Sequence, residues 1–176
     1  MIVGIGGTTR GDSGTETALK LALKAAESLG ADTRAFGGTE LMAQPIYDPQ
    51  DGTGRGARAE LVEAVRKADG LIIASPGYHG SISGLVKNAL DGLEDLRDDV
   101  RPYLDGRAVG LIVTADGLQA GGSTLAALRS VVHALRGWPT PLGVVQTGGE
   151  APDGAKLGVL AGQVIRFAQL QAAAPR

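Results

Sequence analysis

One stretch of the chain decides the fold: residues 71–94, which read LIIASPGYHGSISGLVKNALDGLE. It begins with Leu71 to Ala74, a short apolar run typical of a strand buried on both faces. The next part, Ser75 to Ser83, is rich in Gly, Pro and Ser and predicts a loop. From Ile82 onward, apolar residues recur on one face of a helix. The stretch therefore predicts strand, loop and helix. In an open α/β sheet, ligands bind outside the carboxyl ends of the strands, where this loop lies.

The same alternation of apolar runs and helical stripes continues along the whole chain. The other predicted strands occupy Met1–Gly6, Ala31–Phe36, Ala108–Thr114 and Pro141–Val145. The other predicted helices carry apolar stripes over Ala18–Leu29, Leu61–Ala68, Leu125–Leu135 and Leu157–Ala168. Two longer connections, Gly37–Gly56 and Asp95–Asp105, are predicted as loops. Five strands alternating with five helices predict a parallel sheet covered on both faces, in one domain over residues 1–176. The pattern itself leaves the strand order open.

Composition excludes several classes of function. Hydrophobic residues make up 43% of the chain, and the net charge is −2 without a block of like charge, so neither nucleic acid nor a membrane is expected as a partner. The chain has no Cys and only two His, so we expect no disulfide, no thiolate site and no metal cluster. No apolar run approaches the ~18 residues of a membrane span. The N-terminus lacks a signal-peptide pattern, and we expect a soluble, cytoplasmic protein.

The predicted loop after the third strand carries a family resemblance. Its residues SPGYHGSISG (75–84), followed by KNALD (87–91), resemble the motif of the NADPH-dependent FMN reductase family. Gly77 departs from that motif, because the family usually has Glu or Gln there. The resemblance implies a flavodoxin-like three-layer α/β/α sandwich with a five-stranded parallel sheet in the order 2-1-3-4-5. It also implies that FMN binds at the switch point between strands one and three.

The loop after the first strand, Gly6 to Glu16, is suited to an anion. It combines backbone amides at a helix N-terminus with hydroxyls and one Arg, and such termini attract phosphate. It is not a dinucleotide fingerprint, because Thr9 replaces the third Gly. It is not a P-loop either, because Asp12 replaces the essential Lys.

The same loop resembles the G-S-x-R-x-x-S-x-N/T pattern of the reductase family. That resemblance implies that the FMN phosphate is held by Thr8, Arg10, Ser13 and Thr15. An alternative interpretation is a capping box, because Ser13 and Glu16 have the Ser-x-x-Glu spacing. The two interpretations are partly compatible, since a capped first turn still presents other amides.

Two further loops are predicted to meet the flavin. The resemblance implies contacts from Pro76, Gly77, Tyr78, His79, Gly80 and Ser81, and, after the fourth strand, from Thr114, Gly117, Gly121 and Gly122. The alternatives are an interface aromatic at Tyr78, a backbone-bonded loop histidine at His79, and an ordinary strand–helix connection over Thr114–Thr124. The three loops follow strands one, three and four, so in this topology they converge on one crevice.

The predicted function is NAD(P)H-dependent FMN reduction, using NADPH or NADH and passing electrons to free flavin, a quinone, chromate or an azo compound. No side chain is predicted to be catalytic, because the flavin carries the chemistry. The resemblance implies a homodimer or homotetramer, and a flavin-dependent monooxygenase is a further candidate partner. The alternative is a non-enzymatic, flavodoxin-like electron-transfer protein, which the low aromatic content of 3% and the charge of −2 disfavour. A domain that kept the fold but lost the flavin also stays open.

Overall fold

The computed structural model describes residues 1–50, 52–149 and 151–173, which form a sheet flanked by helices. The strands are β1 (Ile2–Gly6), β2 (Thr33–Phe36), β3 (Gly70–Tyr78), β4 (Ser81–Ile82), β5 (Ala108–Ala115) and β6 (Trp138–Thr147). The helices are α1 (Gly14–Ser28), α2 (Gly38–Met42), α3 (Arg55–Lys67), α4 (Gly84–Asp91), α5 (Leu118–Ala134) and α6 (Gly154–Ala173). Short 3-10 helices cover Gly52–Gly54 and Gly92–Leu96.

The long strands lie in the order β2-β1-β3-β5-β6, and every neighbouring pair among them is parallel. This confirms the predicted order 2-1-3-4-5 for the five parallel strands. The register places Ile5 beside Ile73, and Ile73 beside Leu111, so branched apolar side chains form a continuous row across the sheet. The next two strands of the chain, β2 and β3, lie on opposite sides of β1, and this reversal of direction across the sheet creates the switch point.

The sheet is covered on both faces, as the apolar strands require. On one face, Ile73 and its neighbours pack against α3, α4 and α5 through buried residues such as Val65 and Leu90. On the other face, Ile72 packs with α1 and α6 through buried residues such as Leu19 and Leu160. Successive strand residues point to opposite faces, so one apolar run supplies both cores. The predicted three-layer α/β/α architecture is confirmed.

The predicted loop Ser75–Ser83 is wrong in its first half. β3 continues to Tyr78: it pairs with β5 as far as Pro76, and Gly77 and Tyr78 then pair with the two-residue return strand β4. The turn is made by His79 (φ 52°) and Gly80 (φ 81°), and positive φ at both central residues is the geometry of a type I′ hairpin. The polar, Gly-rich composition hides this strand, because its pairing up to Pro76 is with β5, which is distant in sequence.

Two other predicted connections are shorter than expected. The stretch Gly37–Gly56 contains α2 and the beginning of α3. The predicted loop Thr114–Thr124 is also too long, because α5 already begins at Leu118. The charged stretch Asp95–Asp105 includes two fully buried leucines, Leu96 and Leu104, which anchor it to the core.

Arg107 closes the opposite end of the sheet from the switch-point loops. It is 1% exposed, and its guanidinium donates to four backbone carbonyls: Ala68 at 3.0 Å, Tyr103 at 3.0 Å, Arg66 at 2.8 Å and, more weakly, Asp105 at 3.5 Å. Burial lowers the pKa of Arg107 to about 10. The end of α3 and the loop before β5 are therefore both hydrogen-bonded to the same buried guanidinium.

Candidate functional site

A cleft of about 330 Å³ opens where the carboxyl ends of β1, β3, β5 and β6 meet. In parallel sheets these ends share one edge, so residues far apart in sequence line one space. The lining consists of Thr8, Arg10, Ser13, Gly14, Thr15, Pro76, Gly77, Tyr78, Thr114, Ala115, Asp116, Gln146 and Gly149. The cleft adjoins the switch point between β1 and β3.

Most of the sequence-predicted site residues come together here. The cleft contains Thr8, Arg10, Ser13, Thr15, Pro76, Gly77, Tyr78 and Thr114. His79, Gly80 and Ser81 form the turn and return strand directly after Tyr78, outside the lining. Gly117 is the N-cap of α5, and Gly121 and Gly122 lie inside that helix, also outside the lining.

Gly121 serves packing between helix and strand. An added Cβ there would lie 2.3 Å from Cγ1 of Val145 on β6. Only Gly lets α5 approach β6 this closely, because no real Cβ tolerates such a distance. The Gly-Gly pair therefore belongs to the helix, not to a loop around the cleft.

Ser13 begins α1 and shapes the polar end of the cleft. Its hydroxyl oxygen accepts a hydrogen bond from the Glu16 amide at 3.2 Å, which is an N-cap. The amides of Gly14 and Thr15 have no acceptor within the helix, and the Ser13 hydroxyl keeps a hydrogen to donate. The capping interpretation is confirmed for the serine half, while the Glu16 carboxylate pairs with Lys20 at 2.8 Å.

Thr8 organises the loop in front of α1. Its hydroxyl accepts from the Arg10 amide at 3.1 Å and donates to the Arg10 carbonyl at 3.1 Å. Both hydrogen-bonding roles of this hydroxyl are thus used inside the loop. The Arg10 side chain lines the cleft and brings a positive charge beside the Ser13 cap.

A hydrogen bond between two threonines joins the first and third loops. The hydroxyls of Thr15 in α1 and Thr114 in β5 are bonded across the cleft wall. This contact links positions 99 residues apart and confirms that the two loops converge.

A buried carboxylate sits behind the loop. Oε2 of Glu16 is buried and has no hydrogen-bond partner among the described residues. Its other oxygen meets Lys20, and this pairing raises the pKa of Lys20. Lys20 offsets a negative charge that would otherwise oppose an anion at the start of α1.

Sequence reasoning missed the contribution of β6. Gln146 and Gly149 line the cleft, whereas the predicted fifth strand ended at Val145. The signal was available, because the carboxyl end of every strand in a parallel sheet reaches the same edge. The structure also places Asp116 on the cleft wall.

A larger cavity, of about 680 Å³, lies beside α3 and is lined largely by charged residues. Its arginines are already engaged, for example Arg55 with Asp95 at 3.4 Å and Arg66 with Asp99 at 2.8 Å. The cleft at the switch point, with uncommitted amides at a helix N-terminus, is therefore the better candidate site.

Within residues 1–50, 52–149 and 151–173, no three His, Asp or Glu residues are grouped as metal ligands. Among the helices of those residues, none has the length and apolar character that crossing a bilayer requires.

The fold and the cleft define a flavodoxin-like protein: a doubly wound parallel sheet with a cleft at its switch point that includes the N-terminus of α1. A family model for NADPH-dependent FMN reductases matches residues 1–151, and the chain belongs to this family.

Relatives of known name agree with this assignment. An FMN-dependent NADPH-azoreductase of Staphylococcus aureus is 39% identical over 82 residues. The matched segment covers 47% of this chain and 40% of that protein, so the comparison reaches less than half of either.

Solved structures show the same fold. A crystal structure of an NADH:FMN oxidoreductase has a TM-score of 0.71 and 23% identity, covering 99% of this chain and 91% of that one. An NAD(P)H:(acceptor) oxidoreductase from Paracoccus denitrificans has a TM-score of 0.71 and 20% identity, covering 97% of this chain and 96% of that one.

Proposed function

We propose that this chain is an NAD(P)H-dependent FMN reductase that binds FMN in the switch-point cleft and acts as one domain over residues 1–176. The observation that carries the proposal is the cleft itself, which runs from the cap of α1 to the hairpin after β3. Membership of the FMN reductase family supports the same cofactor and the same class of reaction.

The polar end of the cleft fits a phosphate. Ser13 and Arg10 supply a hydroxyl and a guanidinium, and Gly14 and Thr15 supply amides at the positive end of the helix dipole. Thr8 contributes by holding the loop in shape. We assign the FMN phosphate to this end.

The remaining lining fits a flat ring system. Pro76 and Gly77 present backbone close to the cleft, and Tyr78 is 53% exposed at its rim. Thr114 closes the wall on the β5 side, and His79, Gly80 and Ser81 extend the hairpin beside the rim. When bound, FMN supplies the hydride-accepting chemistry. The side chains bind and orient it, and none is assigned a proton transfer.

The electron acceptor belongs to the same proposal. The Staphylococcus aureus relative carries the name azoreductase, which makes an azo compound the first acceptor to test. Free flavin, a quinone and chromate are the other candidate acceptors, and a flavin-dependent monooxygenase is the candidate recipient of reduced FMN. We further propose a cytoplasmic homodimer or homotetramer.

The test begins with absorbance spectra of the purified protein titrated with FMN and then reduced anaerobically with NADPH or NADH. We expect a perturbed flavin spectrum that bleaches with at least one nucleotide. A flavin that binds but stays oxidised with both nucleotides would favour the flavodoxin-like carrier. An unperturbed spectrum with excess FMN would overturn the proposal.

Comparing the binding of FMN with that of riboflavin tests the phosphate end of the cleft separately from the ring end. Arg10→Ala should weaken FMN binding about tenfold, the loss expected for one exposed charge-assisted hydrogen bond. It should leave riboflavin binding unchanged, because riboflavin lacks the phosphate. Arg166→Ala, an exposed arginine of α6 outside the cleft lining, is the matched control. Equal losses for FMN and riboflavin would place the phosphate elsewhere.

A further inference from the structure

The hairpin that carries Tyr78 is held at its base by a hydroxyl. The buried Ser75 hydroxyl accepts from the Ser83 amide at 3.0 Å, where α4 begins. Between these points only two residue pairs connect β3 to β4, Gly77 with Ile82 and Tyr78 with Ser81. A ribbon this short is marginal by itself, so its tip needs a further contact to keep one position.

Helix α5 provides a close seat for the hairpin. An added Cβ on Gly77 would lie 2.9 Å from the Thr124 hydroxyl oxygen, and one on Gly80 would lie 3.2 Å from the Ser123 hydroxyl oxygen. Both distances are shorter than ordinary van der Waals contact. The two glycines therefore allow the hairpin to lie directly on α5.

Ser123 bonds the tip of the hairpin. Its hydroxyl lies 2.8 Å from the Gly80 carbonyl, inside the type I′ turn. The same hydroxyl also lies within reach of two carbonyls of its own helix, Gln119 at 3.0 Å and Ala120 at 3.2 Å. It has one hydrogen, so it either fastens the hairpin or bonds back to the helix. The shortest of the three distances is the one to the hairpin.

We propose that Ser123 is a positioning residue: it fastens the β3–β4 turn to α5 and thereby sets where Tyr78 stands at the rim of the cleft. The inference rests on the proposed function, because the placement matters through the flavin and nicotinamide that the cleft would hold. Ser123 itself lies outside the cleft lining.

The first test is hydrogen–deuterium exchange of the protein without flavin, read from peptides that cover residues 77–83. Ser123→Ala should accelerate exchange there about fivefold, the effect of losing one ordinary hydrogen bond. Ser123→Thr keeps the hydroxyl and should restore protection. Ser28→Ala is the matched control, because Ser28 is also a helix serine whose hydroxyl bonds a backbone carbonyl, that of Lys24. Unchanged exchange at 77–83 in Ser123→Ala, or equal acceleration throughout α5, would overturn the proposal.

The second test asks whether the fastening matters to the site. In Ser123→Ala, the FMN dissociation constant or the KM for NAD(P)H should rise about fivefold while kcat stays within about twofold, because the ring contacts lose their fixed position. Faster exchange with both binding constants unchanged would also overturn the positioning role. If the wild-type protein bound no FMN, the proposed function would fall, and the exchange measurement would still decide whether Ser123 fastens the turn.

Discussion

Replacing Arg107 by Met tests how one buried charge holds the end of the sheet away from the cleft. The substitution keeps a long, flexible side chain in the same space and removes every donor. The carbonyls of Ala68, Tyr103 and Arg66 then lose their guanidinium partner. Because the Arg107 side chain is 1% exposed, the Met side chain that takes its space offers these carbonyls no replacement donor.

The expected loss follows from two opposing contributions. Hydrogen bonds to a charged group contribute about 1.5–3 kcal/mol each, and the three short ones are lost. Against this, burial and the nearby charge of Arg101 lower the Arg107 pKa to about 10, which corresponds to a cost of about 3 kcal/mol for keeping the guanidinium charged there, and Met avoids that cost. The balance is a destabilisation of about 3 kcal/mol, or roughly 10 °C in Tm for a chain of this size.

Urea denaturation followed by circular dichroism measures this difference directly. Arg107→Lys should be intermediate, because one ammonium group cannot reach three separate carbonyls as a planar guanidinium does. Arg166→Met on the exposed side of α6 should change stability by less than about 0.5 kcal/mol. A stability of Arg107→Met equal to or above that of the wild type would refute the reasoning, since it would mean that desolvation outweighs the hydrogen bonds.

Two further predictions concern the contact between the β3–β4 hairpin and α5, and the start of the last helix, α6. Gly77→Ala should destabilise the fold by about 1–3 kcal/mol, because the added methyl group overpacks against the Thr124 hydroxyl. In a double-mutant cycle measured by urea denaturation, adding Thr124→Ala should recover part of that loss. Strictly additive free-energy changes would show that this contact is not the cause. The pKa of Asp153 is lowered, first by the hydrogen bond from the Lys156 amide and then by the Lys156 side chain. The ionised carboxylate therefore stabilises the fold fully above the unfolded-state pKa of about 4. This stabilisation is lost as the pH falls through the lower folded-state pKa. Wild type should therefore exceed Asp153→Asn in stability at neutral pH and converge with it in acid, as urea midpoints across that range would show; a constant gap would exclude the carboxylate charge as the source.

Much of the fold could be predicted because its signals are local. Apolar runs such as Leu71–Ala74 specify doubly buried strands, and both ends of the observed β3 extend from that core. The order of the parallel strands was expected from the family resemblance and is confirmed. The extension of β3 to Tyr78 was not predictable from composition, because Ser, Pro and Gly predict a loop, whereas the strand depends on pairing with β5 as far as Pro76 and with β4 beyond it.

The candidate site likewise has a part that the sequence predicts and a part that it does not. The Ser13 cap has a local spacing and was expected. Gln146 joins the cleft only because β6 runs two residues beyond its apolar part, to Thr147. Arg107 carries no local sign of burial, since its acceptors are backbone carbonyls, which every residue possesses.

By itself, the sequence determined the apolar cores of the five parallel strands, the main helices that pack on them, and the loops that carry groups suited to phosphate. Those properties depend on hydrophobic period, glycine placement and helix capping, all of which act over a few residues. Only the tertiary structure decided that Thr15 meets Thr114 and that Ser123 meets Gly80. Each contact joins two segments that only the pairing of distant parallel strands brings together. Neither segment carries a local sequence signal for the contact.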